Sequence, residues 1–129
     1  IRIVGHASDA LLSTLYAQAM FLAMPSLYEG FGLPLVEAMS MGTPVLTSNC
    51  ASMPEVAGDA GLLVDPSDVN SISNGLLAMI MDHSLRQRLS EKARATAARY
   101  SWGKAAKATL KIFDEAIQAR KEKLHVSCR

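Results

Sequence analysis

The chain has 129 residues, half of them hydrophobic, enough for one packed domain. Its 13 basic and 12 acidic residues give a net charge of +1, and its three Phe, three Tyr and one Trp are scattered. That excludes a basic, aromatic-studded nucleic-acid surface, and apolar runs such as Ala17–Pro25 and Gly75–Met81 are far too short for a transmembrane segment.

In chain order, Ile1-Arg2-Ile3-Val4 reads as a first strand ended by Gly5. A helix follows over about 8–18, with Ser8 or Asp9 as N-cap and Leu11, Leu12, Leu15 and Tyr16 on its inner face. Met20–Met24 is a continuous apolar strand, as expected where helices cover both sheet faces, and Pro25 stops it. A loop over 26–33 leads to a helix that Pro34 opens, running through Leu35, Val36, Ala38 and Met39 to Gly42 as its cap. Thr43–Ser48 is the third strand, Asn49–Met53 a loop and Pro54–Ala57 a single helical turn. Gly61–Val64 is the fourth strand, ended by Asp65-Pro66.

Three helices follow, over about 69–82, 84–99 and 101–123, the first capped by Ser67 or Asp68. Ile72, Leu76, Leu77 and Ile80 recur at helical spacing in the first. Trp102, Ala106, Leu110, Phe113 and Ile117 do so in the last and read as core. Residues 124–129 carry no pattern and read as a frayed tail. The alternation predicts an α/β fold with a parallel sheet of about four strands flanked by helices, ending in three consecutive helices.

Cys50 and Cys128 make neither a disulfide framework nor a metal site, so they read as free thiols of a reducing compartment. No secretory signal opens the chain, and a cytoplasmic protein is expected. A strand beginning at Ile1, with no Met before it, suggests a piece cut from something longer.

In open parallel α/β sheets, ligands bind beyond the carboxyl ends of the strands. Three loops belong there: Gly5-His6-Ala7, Pro25–Leu33 and Asn49–Met53. The middle one carries most of the chemistry. Gly30 and Gly32 allow positive φ and close approach of the backbone to a ligand. A helix begins directly after them, so free N–H groups and the positive end of its dipole face the same space, which suits a phosphate or diphosphate. Glu29 and Glu37 flank that space with carboxylates that oppose an anion but accept hydrogen bonds from sugar or ribose hydroxyls. An anionic group with many hydroxyls is a sugar nucleotide. Spacing alone leaves the bland alternatives open: glycines that merely turn the chain, and glutamates that serve a turn or a solvated helix face.

The stretch Pro25-Ser26-Leu27-Tyr28-Glu29-Gly30-Phe31-Gly32-Leu33-Pro34, continued by Glu37-Ala38-Met39 and Gly42-Thr43-Pro44-Val45, resembles the signature of group 1 (family 4) glycosyltransferases. These are retaining enzymes of GT-B architecture, with two Rossmann-like domains. Met53-Pro54-Glu55-Val56, Gly58–Pro66 and Tyr100-Ser101-Trp102 match in the same order, and Glu29 and Glu37 match the family's paired glutamates. The resemblance covers nearly the whole chain. It implies that residues 1–123 form part of the C-terminal, nucleotide-sugar-binding domain.

The resemblance also implies roles by position. Glu29, as the catalytic residue, with the backbone of Gly30, Phe31 and Gly32, contacts the donor sugar hydroxyls, orienting the sugar rather than acting as acid or base. Gly32, Leu33 and the helix start at Pro34 approach the diphosphate, and Glu37 binds the ribose hydroxyls. The turn Val4-Gly5-His6 lies by the base, with Leu12 near it; a polar residue after a strand, as His6 is, can equally be just exposed. Absent are the acceptor domain and the first βα segments of the donor domain, with their Arg and Lys pair that neutralises the diphosphate. The isolated chain is therefore expected to bind donors weakly, to lack turnover, and to dimerise through uncovered apolar surface. No cofactor or metal is expected: Asp-x-Asp does not occur, and His6, His83 and His125 share no ligand spacing.

Transfer with retention passes through an oxocarbenium-like state, with charge growing on the departing diphosphate, so groups aimed at that diphosphate do most of the work. A glycosidase also uses two carboxylates, but a glycine-rich turn at a helix start favours phosphate. The remaining alternatives are a sugar-nucleotide epimerase or phosphorylase relative, and a non-catalytic scaffold that keeps the fold.

Overall fold

The computed structural model describes residues 1–126, and side chains for residues 1–121. Its sheet has three parallel strands, β1 (Leu22–Met24), β2 (Val45–Ser48) and β3 (Gly61–Val64), in the order β1-β2-β3. Leu22 to Met24 lie opposite Val45 to Thr47, and Val45 to Ser48 lie opposite Gly61 to Val64. The helices are α1 (Asp9–Gln18), α2 (Leu33–Ser40), α3 (Met53–Ala57), α4 (Val69–Met81), α5 (His83–Ala97) and α6 (Trp102–Val126). A 3₁₀ turn, Gly58–Ala60, leads from α3 into β3.

The expectation of four strands is corrected to three, because Ile1–Val4 joins no sheet among the described residues. A strand's hydrogen bonds come from a neighbour. Without one, an apolar alternation does not make a strand, and Ile1 and Ile3 are fully exposed. Met20, read as strand, also lies outside β1 and is exposed.

Every residue of β2 is buried, as the central strand of a sheet covered on both faces requires. Val45 points into a core with Leu35, Ala38 and Met39 of α2, Met53, Val56 and Ala57 of α3, and Ala93 and Ala97 of α5. Leu46 points the other way, to Val64, Met79 of α4 and Leu89 of α5. α5 thus contributes to both cores. α4 reaches the sheet closely because its interior carries Gly75: a Cβ there would lie 2.5 Å from Val64 Cγ1 and 3.0 Å from Leu46 Cδ1. Ser48 Oγ, buried at the end of β2, has no hydrogen-bond partner among the described residues.

Local chemistry sets the helix ends close to where the sequence put them. Ser8 Oγ accepts from Leu11 N–H, Asp68 from Asn70 N–H and Asp82 from Leu85 N–H, each as an N-cap. Two carbonyl ends are closed by arginines of α5: Arg86 Nη1 donates to the Met79 and Ile80 carbonyls of α4, and Arg94 Nη2 to that of Met41 after α2. The inner face of α1 is narrower than expected. Leu12 and Tyr16 are half-buried, while Leu11 and Leu15 stay exposed because only α2 flanks that helix closely.

From Tyr100 onward a second unit holds the single helix α6. Within that unit nothing covers Trp102, Leu110, Phe113 or Ile117, and the stripe read as core is exposed. The helix runs to Val126, three residues past the expected end at Lys123. The tail expected over 124–129 is thus helical to 126; its last three residues, with the Cys128 thiol, lie outside the described residues.

Candidate functional site

At the carboxyl end of the parallel sheet, β1 opens into the loop Pro25–Gly32 and β2 into the loop Asn49–Ser52. Side chains on the β2 side hold the first loop by its main chain. Thr47 Oγ1 donates to the Met24 carbonyl at 2.9 Å, and the Cys50 thiol to that of Leu27 at 3.3 Å. Ser52 Oγ lies 2.9 Å from the Glu29 carbonyl and 3.1 Å from that of Phe31. Between Cys50 and Ser52, Ala51 is left-handed at φ 52°, a conformation that disfavours a residue with a Cβ by about 1 kcal/mol.

The loop ends at Gly32, the N-cap of α2, with φ 97° and ψ 53°. The expectation of positive φ at both glycines is corrected: Gly32 has it and Gly30 does not, since the chain reverses only where the helix starts. Gly30 contributes open space, as a Cβ there would meet nothing within 4 Å. The anion-binding power of the helix start is also narrower than expected. Pro34 has no N–H and the Leu35 N–H is taken by the Gly32 carbonyl at 3.0 Å, which leaves the Leu33 N–H and the dipole.

Both carboxylates are oriented by hydroxyls. Ser26 Oγ donates to Glu29 Oε1 at 3.1 Å, and Glu29 is half-buried. Glu37, exposed on the second turn of α2, accepts from Tyr16 Oη at 3.2 Å. Burial, then the hydrogen bond and the charge of Glu37, push the Tyr16 phenol up to about 12, so it stays protonated and donates. The sequence put Tyr16 on the apolar face of α1 and missed this role. The available signal is generic: a half-buried tyrosine hydroxyl needs a partner.

Phe31 and Leu33 are partly exposed, and Leu27 and Tyr28 more so. Gly5 and His6 are exposed, and no hydrogen bond ties either to the loop among the described residues. The structure therefore gathers Glu29, Gly30, Phe31, Gly32, Leu33 and Glu37 on one loop and its helix, while Gly5 and His6 stand on a separate segment before α1. Among the described residues no three His, Cys, Asp or Glu gather to hold a metal ion, and no helix is long and apolar enough to cross a membrane. Main-chain donors between two oriented carboxylates suit a ligand with hydroxyls around an anionic group.

The sequence profile of the family described as glycosyl transferases group 1 matches residues 1–96. The chain is 45% identical over 113 residues to the O-antigen chain mannosyltransferase B of Escherichia coli, covering 88% of this chain and 30% of that protein. It is 39% identical over 114 residues to an MMP alpha-(1->4)-mannosyltransferase of Mycolicibacterium hassiacum, covering 85% and 28%. The chain thus spans about a third or less of the curated relatives it matches. Among solved structures, sucrose-phosphate synthase from Thermosynechococcus elongatus superposes with a TM-score of 0.80 at 28% identity, over 92% of this chain and 30% of that one.

Proposed function

The chain belongs to the group 1 glycosyl transferases, and on that premise we propose that it forms the donor-binding part of a retaining enzyme that transfers a hexose from a nucleotide diphosphate. The observation that carries this reading is the left-handed Gly32 at the start of α2, three residues after Glu29 and at the carboxyl edge of the sheet. That arrangement turns a helix dipole and main-chain amides toward one space, with the carboxylates of Glu29 and Glu37 beside it.

In this reading Glu29, held by Ser26, accepts hydrogen bonds from the sugar hydroxyls and fixes the sugar ring. The Gly30–Leu33 backbone faces the sugar and the diphosphate. The Leu33 N–H and the α2 dipole stabilise part of the charge that grows on the departing phosphate. Glu37, held by Tyr16, receives the ribose hydroxyls, and the Gly5-His6 turn lies by the base. The reaction needs no metal. The rest of the charge on the diphosphate is met by cations from outside this chain, and the acceptor binds on a second domain, so this chain alone does not turn over. Relatives named as mannosyltransferases make a mannosyl donor the first to try.

The test is an amide-resolved titration with UDP, GDP and ADP and their hexose conjugates. Perturbations are expected at Gly30–Leu33 and Glu37, with the preferred base marked at Gly5. Glu37→Ala removes acceptors for two hydroxyls and should weaken the preferred nucleotide about 10- to 100-fold. A Glu37→Ala protein that binds as wild type does would reduce the site to a scaffold.

A further inference from the structure

Ser52 occupies the N-cap position of α3, where a serine ordinarily accepts a hydrogen bond from the first turn of its helix. It makes no such bond. Its hydroxyl instead meets two carbonyls of the opposite loop, those of Glu29 and Phe31, 2.9 and 3.1 Å away. A hydroxyl has one proton, so the two carbonyls share it. In a trans peptide the carbonyl and the next residue's N–H point in opposite directions, and no peptide bond of the described residues is cis. Turning the Glu29 and Phe31 carbonyls toward Ser52 therefore turns the Gly30 and Gly32 N–H groups to the other side of the loop. Neither amide donates to a protein acceptor among the described residues.

We propose that Ser52 is a positioning residue for the sugar nucleotide: its shared proton holds the Gly30 and Gly32 amides as a pair of donors facing the sugar and diphosphate. The inference rests on the donor-binding reading of this loop. A second observation supports it. Left-handed strain at a residue with a Cβ persists where its surroundings impose it, and the strained Ala51 sits between Cys50 and Ser52, whose side chains both donate to the loop. The Met53 N–H, donating to the Cys50 carbonyl at 3.3 Å, closes the same turn.

The experiment compares Ser52→Ala, Ser52→Thr and Ser52→Cys in the purified protein, titrated with UDP-, GDP- and ADP-hexoses and with the matching nucleoside monophosphates. Losing one neutral hydrogen bond should weaken the preferred sugar nucleotide about five- to tenfold in the alanine variant and leave its monophosphate unchanged. Threonine, which keeps the hydroxyl, should bind as wild type does, with cysteine between threonine and alanine. Without ligand, the Gly30 and Gly32 amide resonances should shift in Ser52→Ala. Equal weakening of monophosphate and sugar nucleotide, wild-type affinity in Ser52→Ala, or unshifted resonances at both glycines would overturn the proposal. A wild-type protein that binds none of the sugar nucleotides removes the donor reading and the proposal with it, an outcome distinct from binding that ignores position 52.

Discussion

Gly32→Ala tests the geometry on which the site depends. The backbone there has φ 97° and ψ 53°, which an L-residue adopts at a cost of about 1–2 kcal/mol. The new Cβ would also lie 2.6 Å from Cε of Met53 and 3.4 Å from its sulfur. A methionine tip is flexible, but Met53 is fully buried among α2, α3 and β2 and cannot swing away without disturbing that packing. Such overpacking costs about 1–3 kcal/mol. The two effects together predict a loss of about 2–5 kcal/mol, read as a lowered urea midpoint in circular dichroism at an unchanged slope. Met53→Leu removes Cε, so in that background the penalty of Gly32→Ala should shrink by about 0.5–2 kcal/mol. A single variant within 1 kcal/mol of wild type would refute the left-handed N-cap. A full penalty with no coupling to position 53 would refute the contact and leave the backbone term alone.

Two further outcomes follow from contacts away from the loop. The Tyr16 phenol is raised from 10.0 to about 12, so its neutral form is favoured in the folded state. Its contribution is fully present below pH 10 and is lost as pH rises through 12. The stability difference between wild type and Tyr16→Phe should thus be constant below pH 10 and shrink above it; a flat difference to pH 12 would show that neither burial nor Glu37 raises the phenol. Gly75→Ala gains up to about 1 kcal/mol of helix propensity, but its methyl meets Val64 and Leu46 in the core. A net loss of about 1–2 kcal/mol is expected by thermal unfolding, and a stabilised variant would mean that α4 does not approach the sheet so closely.

The fold was legible where one segment's own chemistry decides it. Apolar runs closed by Pro25 and Asp65-Pro66 gave β1 and β3, the run that follows Gly42 gave β2, and the capping residues Ser8 and Asp68 gave helix starts to within a residue or two. It was not legible where a second segment decides. Ile1–Val4 has the composition of a strand, but pairing belongs to a neighbour that the segment itself does not specify. The stripe on α6 has the spacing of a core face, yet burial needs a covering surface and periodicity says nothing about whether one is present.

The site divides along the same line. Glu29, Gly32, Leu33 and Glu37 could be found because they are close in sequence and their spacing fixes a loop running into a helix. Ser26, which orients Glu29, is also close in sequence, but two other supports could not be found. Tyr16 lies 21 residues before Glu37, and Ser52 lies 21 residues beyond Phe31. Serine and tyrosine are ordinary residues in helix starts and apolar faces, so their types carry no alarm. Parallel pairing of β1 with β2 is what sets the Asn49–Ser52 turn against the Pro25–Gly32 loop. With the two turns at one sheet edge, a hydroxyl at the start of α3 can choose between its own helix and a neighbouring carbonyl. It takes the carbonyl, and a residue that reads as a helix cap becomes a support for the loop that faces the ligand.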